Sequence, residues 1–576
     1  MGGFGRWCGV AVVALLAGGA PALAESSEVR SGLSAPAQAY ADYLAGRIAR
    51  GAGDWDNAAK RLTGALRADP ANTALARQAF LIQLGEGRYA DALDLAAKLK
   101  TSGADSFLAG ALQVSDLLSR NKLPEARARL AEVPADGLGQ FVVPLLAAWV
   151  EVAAGQHDAA LAKLSVLEQT PGFVPLHRLQ AALIEDLRGN GAVAGELYAK
   201  ALEGGTPLRL MQLAGNFHER AGRVEAARAL YLSVKAENPD SLAADEALAR
   251  LDKDGPAPRR LVADAKDGLA EALFELASAM HQESAQEMAL MFGRLSQFLR
   301  SDQALARIMT GDVLQARSRH ADALVEYKAA VDSGGSAVAW MARLRQADML
   351  RRLDRVDEAA RLLEAMATER PARSDALARL GDVLRSQERY GEAADAYTRA
   401  LTRLGESPKL TAGLLYVRGM SLDAAGRWAE GEADLKRSLE LNPDNASVLN
   451  YLGYSWADRG VNLMQARALL EKAVGLKPDD GYIIDSLGWV KLKQGDIAGA
   501  VELLERAVEL HPLDPAMNDH LGDAYWAAGR KQEARFQWTR AAQQSADKDL
   551  KQAAEDKLKN GLPLPKTAET VVPKGE

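Results

Sequence analysis

The chain has 576 residues, 48% hydrophobic and 26% charged, with a formal net charge of −7 and one cysteine. Those proportions exclude a largely disordered chain. The acidic balance gives no electrostatic case for binding nucleic acid, and a single thiol excludes a disulfide framework.

In residues 1–24 Arg6 is the only charged side chain, followed by the apolar run Val10 to Ala17 and then Ala22-Leu23-Ala24 before Glu25. A positive start, a short apolar stretch and an Ala-x-Ala site predict a secretory signal peptide cleaved after Ala24. The other reading of the same residues is an uncleaved anchoring helix. Cys8 follows Gly5-Arg6-Trp7 and not the Leu-x-Gly or Leu-x-Ala sequence of a lipid-modified cysteine, so it leaves with the signal. Cleavage then gives a mature chain with no cysteine and no transmembrane segment. Residues 25–38 read as a flexible lead-in.

From 39 to 251 a small-aromatic-turn pattern recurs, with units starting near residues 39, 73, 107, 141, 175 and 208. Its clearest copy is Gly46, Gly53-Asp54-Trp55, Ala58, Leu62, Ala65 and Pro70, with small residues where two helices cross and Pro after the second. Residues 252–260 are the most breaker-dense stretch inside the array. They read either as a linker between two arrays or as a surface loop within one. The second array, 261–546, opens with Ala270 to Ala277 as a first helix and Gln286 to Leu299 as a second. Units near 304, 340, 374, 412, 446, 481 and 515 follow, their small positions filled by Gly311, Ala347, Gly381, Gly419, Gly453, Gly488 and Gly522. Residues 547–559 suit a capping helix, with few apolar positions, and 560–576 read as a disordered tail.

The small positions are spaced by 36, 34, 38, 34, 35 and 34 residues. A period near 34 resembles the tetratricopeptide repeat (TPR), two helices per unit. The expected fold is therefore all-α, a superhelical solenoid of about 14 helix-turn-helix repeats. No phosphate-cradling glycine loop, His-Glu-x-x-His or Gly-x-Ser-x-Gly is present, and the seven histidines, His511 and His520 included, read as solvated surface groups. No enzymatic activity, cofactor or metal is expected.

A binding groove is the better prospect, because the first helices of such repeats line the concave side. Their groove positions in the last three units are Asn450 and Tyr454, then Tyr482, Asp485 and Trp489, then Asp519 and Asp523. Rigid aromatics and hydrogen-bonding acids suit an extended peptide. The alternative is that the aromatics pack against neighbouring helices, as Trp456 is expected to do. Capture of a terminal carboxylate is disfavoured, since Asn450, Asp485 and Asp519 stand where carboxylate-holding repeats of this kind place Lys, Asn and Arg.

Residues 450–463 (NYLGYSWADRGVNL), 485–489 (DSLGW) and 519–523 (DHLGD), with Ala270 to Ala279, resemble a family of bacterial envelope TPR proteins. One branch is an outer-membrane lipoprotein that brings peptidoglycan hydrolases to a carboxyl-terminal processing protease. The resemblance, over about residues 265–545, implies a periplasmic adaptor with that protease and its substrates as partners. The anchoring cysteine of that branch has no counterpart here. The alternative is a structural part of an envelope export or polysaccharide-secretion assembly.

Overall fold

A computed structural model describes residues 34–253, 256–405 and 407–562. The expected signal peptide 1–24, the lead-in up to residue 33 and the tail from 563 on lie outside the described residues. Among the described residues there is no strand, and the helices follow one another as packed pairs. Fourteen pairs run from Ala35–Gly51 with Trp55–Ala68 to Pro515–Ala527 with Lys531–Gln544. In the fourth, the second helix is broken into His157–Lys163 and Ser165–Glu168. Leu242–Leu251 stands alone after the sixth pair, and Lys548–Asn560 follows the last.

The recurring small residue sets how closely each pair approaches. A Cβ on Gly381 would lie 2.4 Å from the Tyr397 ring, and one on Gly522 2.5 Å from the Trp538 indole. Both rings are fully buried, so each fills the space the absent side chain leaves. The turn inside a pair needs a left-handed residue, supplied by Gly495 at φ 84° before helix Ile497–Leu510. Between pairs, Asn445, Asp480 and Asp514 each accept hydrogen bonds from two backbone N–H groups of the helix that follows. These caps satisfy donors that the first turn leaves open, and so restart the helix at a fixed place.

The chain forms two compact units, dividing between Glu358 and Ala359. Residues 261–358, read above as the start of a second array, share a unit with the N-terminal repeats. Helices Ala265–Gln282 and Gln286–Leu299 pack on the first helices Thr73–Gly85, Phe107–Ser119, Gly139–Ala153 and Val174–Arg188. A Cβ on Gly268 would lie 2.1 Å from Trp149, so that helix lies flush on the indole. Arg209 pairs with the buried Glu271 at 2.6 Å, and the Arg294 guanidinium donates to the Gly85 carbonyl at 2.9 Å and pairs with Glu326. The breaker-dense stretch is tied to this unit, since Asn216 donates to the Arg259 carbonyl at 2.8 Å.

The same unit brings its first repeat against a later one. Arg50 pairs with Glu287 at 2.9 Å, Arg319 with Glu86 at 2.7 Å, and the Arg317 guanidinium lies 4.6 Å from the Trp55 ring centre.

The second unit carries the last repeats and ends on Lys548–Asn560. That helix buries Leu550 and Ala554 and exposes Lys551, Gln552 and Lys559, as the outer layer of a solenoid must.

Candidate functional site

Three consecutive first helices, Ala446–Asp458, Gly481–Lys493 and Pro515–Ala527, pack side by side in the second unit. Because one repeat follows another at nearly constant period, Asn450, Asp485 and Asp519 occupy equivalent places on them. All three are buried, at 7%, 6% and 6% exposure.

Three of the expected groups gather around a residue read above as a solvated histidine. His520 is only 9% exposed. Its Nδ1 meets the Asp485 carboxylate at 2.9 Å, and its ring stacks on Trp489 with centroids 4.2 Å apart and planes at 21°. The half-buried Tyr454 ring stands 6.3 Å from it. Burial works most strongly against a charged imidazole, but the Asp485 carboxylate, by charge and hydrogen bond, together with Asp519 and Asp523 outweighs it, and the His520 pKa is raised. The surface reading fails at His520 because a ring on an inward first-helix face is covered by the preceding first helix.

Asp519 and Asp523 form the second centre, around Lys557 of the C-terminal helix. Lys557 Nζ lies 2.7 Å from Asp519 and 2.8 Å from Asp523, and the Trp538 indole N–H donates to Asp523 at 2.9 Å. Burial raises the Asp523 pKa; Lys557 pulls it back and Asp519 pushes it up again. Burial alone would lower the Lys557 pKa, but the two carboxylates raise it.

Tyr482 stands apart from both centres. It is 40% exposed and lies against the His511 ring at 4.7 Å. Trp489, at 9% exposure, also belongs to the hydrophobic cluster that holds Trp456, so the groove and packing readings meet in one side chain. The Lys493 ammonium sits 4.2 Å from the Trp489 ring centre. Within this strip the Asn450 Oδ1, Asp485 Oδ1, Asp519 Oδ1 and Trp489 Nε1 atoms are buried without a hydrogen-bond partner. Unmet polar atoms at consecutive equivalent positions are costly in a folded chain.

The sequence reading took His520 for a solvated surface group and did not single out Lys557, although the chain carries a signal for both. Acids on one first helix are met by bases one repeat later: Asp186 by Arg220, Asp312 by Arg345, Asp423 by Arg459 and Asp485 by His520. Searching for opposite charges at the repeat offset finds both.

No helix among the described residues is long and apolar enough to cross a membrane. The tetratricopeptide repeat profile matches residues 43–107, 308–374, 344–409, 416–481 and 486–549, together just over half of the chain. A TPR repeat-containing protein of Pseudomonas aeruginosa is 37% identical over 183 residues, covering 32% of this chain and 30% of that protein. Human aspartyl/asparaginyl beta-hydroxylase is 25% identical over 209 residues, covering 34% of this chain and 27% of that protein. The chain thus spans less than a third of the length of either relative. The crystal structure of a tetratricopeptide repeat protein from Parabacteroides merdae aligns with 44% of this chain and 97% of its own, at 16% identity and a TM-score of 0.36.

Proposed function

The chain belongs to the tetratricopeptide repeat family, and from that premise we propose that it is a non-catalytic scaffold of the bacterial periplasm. In this reading it holds an extended segment of an envelope protein along the first helices of its last three repeats. The observation that carries the reading is the row Asn450, Asp485 and Asp519, equivalent buried positions each with one side-chain oxygen, Oδ1, that lacks a partner, near the likewise unpartnered Trp489 indole N–H. A bound peptide backbone supplies both donors and acceptors. Residues 1–24 support export, and the residues resembling an adaptor of a carboxyl-terminal processing protease support a role in presenting hydrolases to it.

Co-purification from a periplasmic extract on the tagged full chain tests this. The expected result is enrichment of envelope proteins, a processing protease and peptidoglycan hydrolases among them. Recovery of no envelope protein above an untagged control sinks the proposal.

A further inference from the structure

Far from the groove in sequence, in the first compact unit, the seam between the first repeat and a later one leaves a cavity of about 450 Å³. Its lining includes Tyr43, Arg47 and Arg50 of helix Ala35–Gly51, Leu62 of Trp55–Ala68, Gln78 of Thr73–Gly85, and Arg317. Three guanidiniums therefore face one cavity. Only Arg50 meets a carboxylate, Glu287 at 2.9 Å. Among the described residues Arg47 and Arg317 have no ion-pair partner; each lies instead by an aromatic ring, Arg47 by Tyr43 at 5.8 Å and Arg317 by Trp55 at 4.6 Å.

The placement of Arg317 is built into the fold. It ends helix Ala304–Ala316, and the next two residues turn the chain through Ser318 at φ 59° into helix His320–Ser333. Arg319 of that turn also lies over Trp55, at 5.4 Å, and is fixed by Glu86 at 2.7 Å. The turn is thus pinned at both sides, and half-buried Arg317 is held at the cavity with little freedom left to lose. Burial lowers the Arg317 pKa; Glu287 opposes this, while Arg319 and Arg50 add to it, as expected where positive charge is incompletely offset.

Set against the one carboxylate of Glu287, the three cavity guanidiniums leave a surplus of two positive charges. Guanidiniums match carboxylates and phosphates through paired N–H donors. We propose that this cavity is a second peptide subsite, which takes two neighbouring acidic side chains of a partner protein. It rests on the scaffold reading above and adds a sequence preference to it: a basic-lined subsite in the first unit, chemically opposite to the acidic groove of the second.

The test uses the full chain and a fluorescein-labelled hexapeptide with adjacent glutamates, compared by anisotropy with its glutamine counterpart. The glutamate peptide is expected to bind and the glutamine peptide to bind at least about tenfold more weakly, the scale of losing one or two charge-assisted hydrogen bonds. Arg47→Gln, at an exposed position, and the double change Arg47→Gln with Arg317→Gln should weaken glutamate-peptide binding in steps. Circular dichroism and near-ultraviolet tryptophan spectra check that both variants fold. Equal affinity for the two peptides, or unchanged affinity in a folded double variant, overturns the proposal. So does displacement of the peptide by an equimolar amount of inorganic phosphate, which would make the site one for small anions. Periplasmic co-purification with the unaltered chain, read beside its affinity for the glutamate peptide, separates this proposal from the scaffold reading. Partners recovered while peptide binding is absent remove the subsite alone, and peptide bound while no partner is recovered removes the scaffold alone.

Discussion

Replacing Lys557 by Met keeps the aliphatic stem of the side chain and removes its charge. Asp519 and Asp523 would then share a site in which their side chains are only 9% and 11% exposed, without the lysine ammonium that pairs with both. Deleting one partner of a buried ion pair costs about 3–5 kcal/mol, because the surviving charge stays desolvated. Part of that is relieved when Asp523, whose pKa is already raised, takes up a proton. We therefore expect a loss of about 2–3 kcal/mol at pH 7.5. The pH dependence has a definite sign. A carboxyl whose folded pKa lies above its unfolded value binds more protons when folded, so the variant gains stability as pH falls through the raised pKa. Near pH 5 the difference from wild type should shrink to about 1 kcal/mol or less. A repeat array need not unfold as one unit, so local opening is the right readout. Hydrogen exchange in helices Pro515–Ala527 and Lys548–Asn560 measures it. Protection in Lys557→Met that matches wild type at pH 7.5, or a deficit that does not change with pH, refutes the reasoning.

Three further changes test the packing and the electrostatics. Gly522→Ala places a methyl 2.5 Å from the Trp538 indole and should cost about 1–3 kcal/mol of local opening free energy in the last repeat, read by the same exchange experiment. Ser284→Gly relieves an exposed left-handed residue at φ 60° between helices Ala265–Gln282 and Gln286–Leu299. Set against the extra freedom of Gly in the unfolded chain, the net gain should be about 0.5–1 kcal/mol by thermal or urea unfolding. Burial and then the neighbouring Glu271 push the Glu275 pKa from 4.5 up to about 7. Its folded form is therefore progressively disfavoured as pH rises from 4.5 through 7, and Glu275→Gln should be more stable than wild type at pH 8 and indistinguishable near pH 4.5.

The fold was legible because a solenoid writes its period directly into the sequence. Gly453, Gly488 and Gly522 stand one repeat apart, with Gly381 two repeats before them, and each sits where a side chain of the second helix crosses at close range. That is local information, carried within about 20 residues of chain. What the period cannot carry is a contact outside the neighbouring repeat. Arg294 bonds the Gly85 carbonyl and Arg50 meets Glu287 across more than 200 residues, and no repeat pattern encodes either. Residues 265–299 continue the helical pattern without a break, so nothing in their hydrophobic spacing says that they pack on the N-terminal first helices. In the groove, residue type was readable and surroundings were not. Asp485 and Trp489 were picked out by position, yet the group between them, His520, comes from the next first helix. Asp519 and Asp523 looked like open acids until the capping helix placed Lys557 between them. Tyr482 carries the least hidden part of the site, being 40% exposed.

That exposure makes Tyr482 the place to test whether the groove of the last repeats holds a protein. A photo-crosslinking phenylalanine derivative is placed at Tyr482 in the full chain, and in parallel at Met464, 73% exposed on a second helix of the same unit. Irradiation of intact cells producing the chain should give a discrete crosslinked partner from Tyr482 and none from Met464. Equal crosslinking from both positions, or none from Tyr482, contradicts the account.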